Sequence, residues 1–372
     1  MTSQILVFGG WFGSRNIGDE AILIGIKNLF EKVSPDIELI AISTDPEYTK
    51  KVCNVNAVKP TKNIKNILNL YSSSDLIIIS GGTPIYDYDY MFRFFYHFLL
   101  PKLTKKKVVY FGISSKRIHS PVGKILIKFI LNRAEFITIR EPKTEEILRN
   151  IGVKKRMILT GDSAFVIEPK TTPKIHVEKI IESPMIGICP RILSVNYKKH
   201  FHDKIDHKNI KNLSRMIAKT ADYLIEMGCS VYFIPFHTEH YDDDMKAIRD
   251  IVNLMNTHEF MILNRNHDPL EVLKIIGEMD LIIGMRFHSL VFSAIQNIPM
   301  VTVNYDTKIG GLMELLGLKE FMCRPHDTPD TLISKIEKIL DEKREIRNNL
   351  KLRVNNIRNS ILMSAQEITN FI

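Results

Sequence analysis

Short runs of β-branched and aromatic residues recur along the chain. Each ends in glycine, proline or a charged side chain, and most lead into a longer stretch with apolar residues at helical spacing. The runs "QILVFGG", "IELIAIS", "LIIISGG", "VVYFGIS" and "EFITIRE" predict strands within residues 4–141. "MIGICPR", "SVYFIPFH", "FMILN", "DLIIGM" and "PMVTVNY" predict strands within 185–305. Most of these runs are apolar at every position instead of alternating, the mark of parallel strands covered by helices on both faces. Two such sets predict an α/β chain of two Rossmann-like domains facing a cleft. The expected boundaries are 1–168 for the first domain and 185–345 for the second. Between them 169–184 carries three prolines and no buried-strand pattern, and reads as a linker. Residues 346–372 form a long helical pattern that could cross back to the first domain. A length of 372 residues suits two cores better than one.

The stretch "DLIIGMRFHSLVFSAIQNIPMVTVNY" (280–305) reads as strand, helix, strand, a βαβ unit. Ligands bind where the chain leaves the carboxyl end of such a strand, and the following helix N-terminus favours anions. Arg286 and His288 fall there. Arg191 lies just beyond "MIGIC", and His237 just beyond "SVYFIPF". Four basic side chains at strand termini of one sheet predict an anion site, to which Lys308, after the last of these strands, could add.

In the first half two glycine-rich loops follow strands. "GGWFGSRNIGDEAIL" (9–23) lacks both GxGxxG and a Walker pattern. Asp19 and Glu20 could simply complement the helix dipole, or Asn16 and Asp19 could hydrogen-bond a hydroxyl-rich acceptor. In "SGGTPIYDYDY" (80–90), Gly81 and Gly82 would let a ligand approach the backbone. Tyr86 and Asp87 would stack on and hydrogen-bond a sugar, unless the tyrosines only pack on the next helix. "HYDDD" (240–244) reads as helix capping and not as a metal site. "MFRFFYHFLLPKLTKKK" (91–107) reads as an amphipathic helix ending in lysines, either packed on its own sheet or lying on anionic lipid.

Composition changes this picture little. A formal charge of +9 admits nucleic acid, an anionic membrane surface or anionic small substrates. No RNP pattern, zinc finger or basic region followed by heptads is present, so nucleic acid is not expected as a partner. The four cysteines (Cys53, Cys189, Cys229, Cys323) are scattered without CxxC spacing, which points to reduced thiols in a cytoplasmic protein and to no structural metal. The apolar run at the start is too short for a signal peptide, and no later stretch has the length of a membrane span.

Several of these motifs resemble the polysaccharide pyruvyl transferase family. They are N-x-G-D-E-A (16–21), "SGG" (80–82), "TIRE" (138–141), "GDSAF" (161–165) and "PFH" (235–237). The most specific is "MRFHSLVFSAIQNIPMVTVNYDTKIGGLMELLG" (285–317), with R-x-H, a proline-initiated strand and Y-D-x-K. "TPIYD" departs from the family's loop and leaves the acceptor's identity open. The resemblance implies a GT-B-like fold with the donor in the C-terminal half and the acceptor toward the N-terminal half. It implies transfer of pyruvate from phosphoenolpyruvate, a co-substrate in place of a cofactor, to two sugar hydroxyls as a cyclic ketal. Arg191, Arg286, His288 and Lys308 would bind the donor, and Asn16, Asp19, Gly81, Gly82, Tyr86 and Asp87 the acceptor. His288 would be general acid or phosphate ligand, and His237 base or substrate ligand; no metal is demanded. The carrier of the sugar, lipid or polymer, stays open, as does a peripheral contact with the inner face of the membrane. Two other functions compete. One is a nucleotide-sugar glycosyltransferase, for which Glu314 is the convenient ribose carboxylate; the other is a non-catalytic sugar- or phosphate-binding protein.

Overall fold

A computed structural model describes residues 3–61, 63–87, 89–168, 183–191, 207–239, 242–263 and 267–372. The chain divides into two units, Met1–Ile167 with Asn356–Ile372, and Glu168–Asn355. The expected linker, 169–184, lies almost wholly outside the described residues.

The first unit runs β1 (Gln4–Phe8), α1 (Ile17–Val33), β2 (Glu38–Ile42), α2 (Pro46–Cys53), β3 (Asn56–Val58), α3 (Ile64–Ser73) and β4 (Leu76–Ser80). It continues through α4 (Tyr90–Arg93), a π-helical turn at Phe94–Leu99, α5 (Leu100–Thr104), β5 (Lys107–Ile113), α6 (Pro121–Leu131), β6 (Phe136–Ile139), α7 (Pro142–Asn150) and β7 (Ile158–Leu159). All strands are parallel, in the order β3-β2-β1-β4-β5-β6-β7. Every residue of β4 is buried, as the unbroken "LIIIS" requires of a central strand.

The second unit runs β8 (Met185–Cys189), α8 (His207–Glu226), β9 (Ser230–Phe233), α9 (Asp244–Val252), β10 (Phe260–Ile262), α10 (Pro269–Gly277) and β11 (Leu281–Gly284). Then come α11 (Phe287–Ile295), β12 (Met300–Val303), α12 (Thr307–Leu315), β13 (Met322–Cys323), α13 (Pro329–Asp341) and α14 (Lys343–Thr369). Its sheet is β10-β9-β8-β11-β12-β13, again parallel. The part of α14 from Asn356 onward belongs to the first unit. There Arg358 donates to the carbonyls of Phe165 (2.7 Å) and Ile167 (3.0 Å), and Ile357 packs on Gly161.

All ten expected strands are present, but the sheets have seven and six strands, not five each. The additional ones, β3, β7 and β13, are two or three residues long, with apolar runs no longer than three residues. The expected single helix at 91–107 is also broken. Pro101 has no N–H to give, and the helix widens into its π-helical turn just ahead of it. Phe94, Phe95, Tyr96 and Phe98 pack against the core of their own unit, while Met91, Phe92 and Leu103 are exposed. Among the described residues no helix is long and apolar enough to cross a membrane, and the four cysteines are free thiols.

"TIRE" and "GDSAF" hold the first unit together. Arg140, buried, reaches Glu141 and Asp162 at 3.1 Å each. Glu141 in turn accepts from Thr144 (2.6 Å) and Ser114. This ties the ends of β5, β6 and β7 with a buried, charged hydrogen-bond network instead of apolar packing.

The glycine loops serve each other before any ligand. A Cβ on Gly81 would stand 2.4 Å from Gly10 Cα, and Gly81 holds φ +100°. Gly81→Ala should therefore cost about 2–4 kcal/mol of unit stability, from backbone strain plus overpacking. Gly152→Ala, also at positive φ but facing only the flexible Lys128 side chain, should cost about 1 kcal/mol. Urea unfolding followed by the fluorescence of the single tryptophan, Trp11, reads both in the same unit.

Candidate functional site

In each sheet the strand order reverses at the first strand, between β1 and β4 and between β8 and β11. Such a switch point opens a crevice at the carboxyl ends of the strands. The candidate residues of the second unit gather at that end.

Arg286 is the N-cap residue of α11, with extended backbone, and His288 stands in the helix's first turn. Both were expected in a loop; the loop is shorter than expected, because the helix begins at Phe287. The larger correction concerns the guanidinium of Arg286. Its Nε donates to both Asp244 oxygens (3.0 and 2.9 Å) and its Nη2 to Asp244 Oδ1 (2.5 Å) and the Asp242 carbonyl (2.8 Å). Its Nη1 donates to Asp242 Oδ2 (2.6 Å). Four of the five N–H groups of an arginine are thus engaged by the chain itself, so Arg286 does not present an open fork to an anion.

Arg191 donates from Nη1 to Tyr305 Oη (2.8 Å) and from Nη2 to Asp242 Oδ2 (3.2 Å). His237 is buried, its Nδ1 3.9 Å from the same Asp242 oxygen. Neither of its ring nitrogens has a hydrogen-bond partner among the described residues. Arg191, His237 and Arg286 are therefore brought together as expected, around a carboxylate that was not. His288 is half-buried, its ring edge-on to Phe287 at 5.3 Å. Lys308 lies at the start of α12, where its backbone N–H donates to Asp306 (3.2 Å).

The three acids of "HYDDD" divide the work. Asp243 caps α9, accepting from Met245 N (2.9 Å), as capping predicts. Asp244 is fully buried, accepts from the backbone N–H of Phe236 and His237 (2.9 and 3.1 Å), and anchors Arg286. Burial raises its pKa despite the neighbouring guanidinium. Burial also pushes the Asp242 carboxyl up, but Arg286 and Arg191 outweigh it and hold the pKa at about 2. Burial would lower the Arg286 pKa, yet Asp244 and Asp242 carry it above its ordinary value. Capping accounted for only one of the three acids because the basic partners lie 42 or more residues away in sequence from Asp242 and Asp244, on other strands.

In the first unit a cavity of about 360 Å³ opens at the carboxyl ends of β1, β2 and β4. Trp11, Phe12, Tyr71, Tyr86, Phe92 and Tyr96 supply most of its aromatic wall, with Arg93, Asp89 and Lys59 as charged members. Of the expected acceptor residues Tyr86 lines it, with the Arg93 guanidinium of the next helix over its ring at 4.1 Å. The other expected acceptor residues do not line it. Asn16 uses its side-chain oxygen to cap α1 through Gly18 N (3.0 Å). Asp87 accepts from the backbone of His119 and Ser120 (3.0 and 3.1 Å) and from Tyr90, an anchor for the start of α6. Gly81 makes room for Gly10, and the open side of Gly82 faces Asp19 Oδ1. The acid that shapes the first loop is Glu20, fully buried, which accepts from Gly13 N (2.7 Å).

The family model for polysaccharide pyruvyl transferase matches residues 16–307. The chain belongs to this family. Membership covers Arg191, His237, the two aspartates, Arg286 and His288; Lys308 and Trp11 fall just outside the matched span. Within polysaccharide biosynthesis the chain is 26% identical to the amylovoran biosynthesis protein AmsJ of Erwinia amylovora, over 73% of this chain and 67% of that one. Its fold is similar to a glycosyltransferase from Rickettsia africae (TM-score 0.64, 15% identity, 98% and 97% of the two chains). It is also similar to the UDP-GlcNAc 2-epimerase of Neisseria meningitidis bound to UDP-GlcNAc (TM-score 0.60, 12% identity, 99% and 100%). The two parallel α/β sheets of this pyruvyl transferase family member thus have neighbours among GT-B glycosyltransferases and epimerases.

Two outcomes follow from the buried charges. Arg286→Ala would leave Asp244 buried without its cation, and should destabilise the second unit by about 3–5 kcal/mol, read as faster hydrogen exchange in α11. Glu20, raised by burial from 4.5 to about 7, acts in the other unit. The folded state holds its proton more tightly than the unfolded chain, so its contribution is full below pH 4.5 and declines as pH rises to 7. Glu20→Gln, neutral throughout and still able to accept from Gly13, should match the parent near pH 4.5 and exceed it by about 2–4 kcal/mol at pH 8. Urea midpoints at the two pH values measure the difference.

Proposed function

We propose that the chain transfers the pyruvyl group of phosphoenolpyruvate to two hydroxyls of a sugar in a polysaccharide or its precursor, forming a cyclic ketal. The observation that carries this reading is the convergence of Arg191, Arg286 and His237, whose ring nitrogens have no hydrogen-bond partner among the described residues, at the switch point of the second sheet, with His288 in the adjoining helix turn. A donor bearing a carboxylate and a phosphate suits the positive charge that two guanidiniums bring to one place.

The chemistry needs a proton on the donor's methylene carbon and attack by one hydroxyl oxygen at the neighbouring carbon. The C–O bond to phosphate then breaks, phosphate leaves with that oxygen, and the second hydroxyl closes the ring. One hydroxyl proton balances the proton added to carbon and the other departs with phosphate. His288 is the general acid and His237 the base for the attacking hydroxyl; the arginines, with Lys308, stabilise charge on the donor. The aromatic cavity of the first unit suits the acceptor, since flat rings and a few charged groups are the chemistry of sugar recognition. Trp11 and Phe92, which line it and are exposed, together with Met91, suit an acceptor carried on a lipid and a contact with the membrane face.

The nucleotide-sugar reading is weaker. Glu314, its ribose carboxylate, is 60% exposed and stands 3.9 Å from Lys319.

Phosphate release from phosphoenolpyruvate in the presence of acceptor glycan, with the ketal detected by mass and NMR, tests the reaction. His288→Gln should leave donor affinity within a few-fold and lower turnover by roughly 10²–10⁴. Arg191→Ala should instead weaken donor binding by about 2–5 kcal/mol. If His288→Gln loses binding as badly while the bound donor still turns over, the histidine is a phosphate ligand and the proton comes from another group.

A further inference from the structure

Three basic side chains of the second unit converge on one atom. Asp242 Oδ2 lies 2.6 Å from Arg286 Nη1, 3.2 Å from Arg191 Nη2 and 3.9 Å from His237 Nδ1. These groups arrive from the ends of three different strands, β11, β8 and β9. We infer that this position is an oxyanion subsite which the chain fills with its own carboxylate, and that an anionic substrate binds by taking the place of Asp242.

Three observations separate Asp242 from an ordinary structural ion pair. The first is the contrast with Asp244, which holds two backbone N–H groups and both edges of the Arg286 guanidinium. With Asp244 in place, Arg286 stays anchored when Asp242 leaves. The second is that Asp242 Oδ1 is buried with no hydrogen-bond partner among the described residues, as are both His237 nitrogens beside it. Buried polar atoms in native proteins are nearly always paired; leaving would free Asp242 Oδ1 to find a donor elsewhere, and a larger anion with several oxygens in its place could accept from a His237 ring N–H. The third is charge. Two guanidiniums facing two carboxylates leave no net positive charge for a donor that carries both a carboxylate and a phosphate. Removing one carboxylate restores it, and like charges held close in a site of low dielectric repel strongly.

Asp242 also precedes the cap of α9, which is Asp243, so its departure breaks no helix terminus. Arg191 would keep its second anchor, Tyr305. The arrangement keeps the arginines paired while the site is empty and lowers apparent affinity by the free energy of displacing the carboxylate.

The inference rests on the proposed donor reading for its natural ligand, but inorganic phosphate probes the subsite independently. Asp242→Asn keeps the shape and an acceptor oxygen and removes the competing charge. Calorimetry at low salt should show phosphoenolpyruvate and inorganic phosphate each bound about tenfold or more tightly by the variant than by the parent. The gain should vanish when Arg191→Ala is combined with it, as a double-mutant cycle requires of groups sharing one ligand. Equal or weaker binding by Asp242→Asn overturns the inference and makes Asp242 a positioning residue for Arg191. Should that variant fail to fold, Asp242→Ser, smaller and also uncharged, is measured in its place with the same two ligands and the same deciding outcomes. If phosphate binds more tightly to the variant while no ketal forms from phosphoenolpyruvate, the subsite stands and the pyruvyl transfer reading fails. If ketal forms in the parent but the variant binds more weakly, the reading stands and the subsite falls.

Discussion

The strand order reverses at the first strand of each sheet, and the rest of the molecule's chemistry depends on that reversal. Helices following the two central strands must leave toward opposite faces, so the loops between strand and helix part and leave room at the sheet's edge. The two units fill this room differently. In the first, Gly9, Gly10 and Gly81 have no side chains, and the two loops close on each other backbone to backbone. In the second, Arg191 and Arg286 project from the equivalent loops and meet the acids at the start of α9. One topology thus carries a tight glycine junction beside an aromatic cavity in one unit and a charged cluster in the other.

The charged cluster obeys a constraint of its own. A guanidinium out of water needs counter-charge, and a buried carboxylate needs donors. Asp244 meets both needs at once, through Arg286 on one side and the 236–237 backbone on the other. It therefore fixes the start of α9, the end of the β9 loop and the start of α11 relative to one another. Asp242, with fewer anchors, completes the charge balance. The family's R-x-H signature accordingly joins two kinds of residue: an arginine held largely by the fold, and a histidine in the adjoining helix turn, only half-buried.

The first unit shows the same division between residues that hold a loop and residues that line a space. Asn16, Asp87 and Glu20 hold backbone; Trp11, Tyr86 and Phe92 line the cavity. Short polar side chains next to a helix start find the free N–H groups there before any ligand arrives. Large aromatic side chains lack that local alternative and pack on one another and on Arg93 instead, which builds the cavity wall.

What the sequence alone determined was the class of fold and the strand ends that matter. Apolar runs without alternation specify parallel strands covered on both faces, and the order of runs and helices specifies two such sheets. The residues following those runs must lie at carboxyl ends, so Arg191, His237, Arg286 and His288 could be placed from sequence alone. Strands β3, β7 and β13 could not, because two or three paired residues carry too short an apolar run to tell a strand from a loop or a helix end. Partnership was decided only by tertiary structure. Asp242 and Asp244 pair with Arg286 across more than 40 residues, and nothing local distinguishes them from Asp243, which merely caps a helix. The same holds for Gly81, whose requirement comes from Gly10 in the loop after the neighbouring strand, and for the cavity wall, gathered from β1, β2, α3, the loops after β1 and β4 and the π-helical turn. Patterns of burial are written along the chain, because each strand or helix buries its own face. Charge pairing and close backbone approach depend on which elements become neighbours, and that is settled only when the sheet assembles.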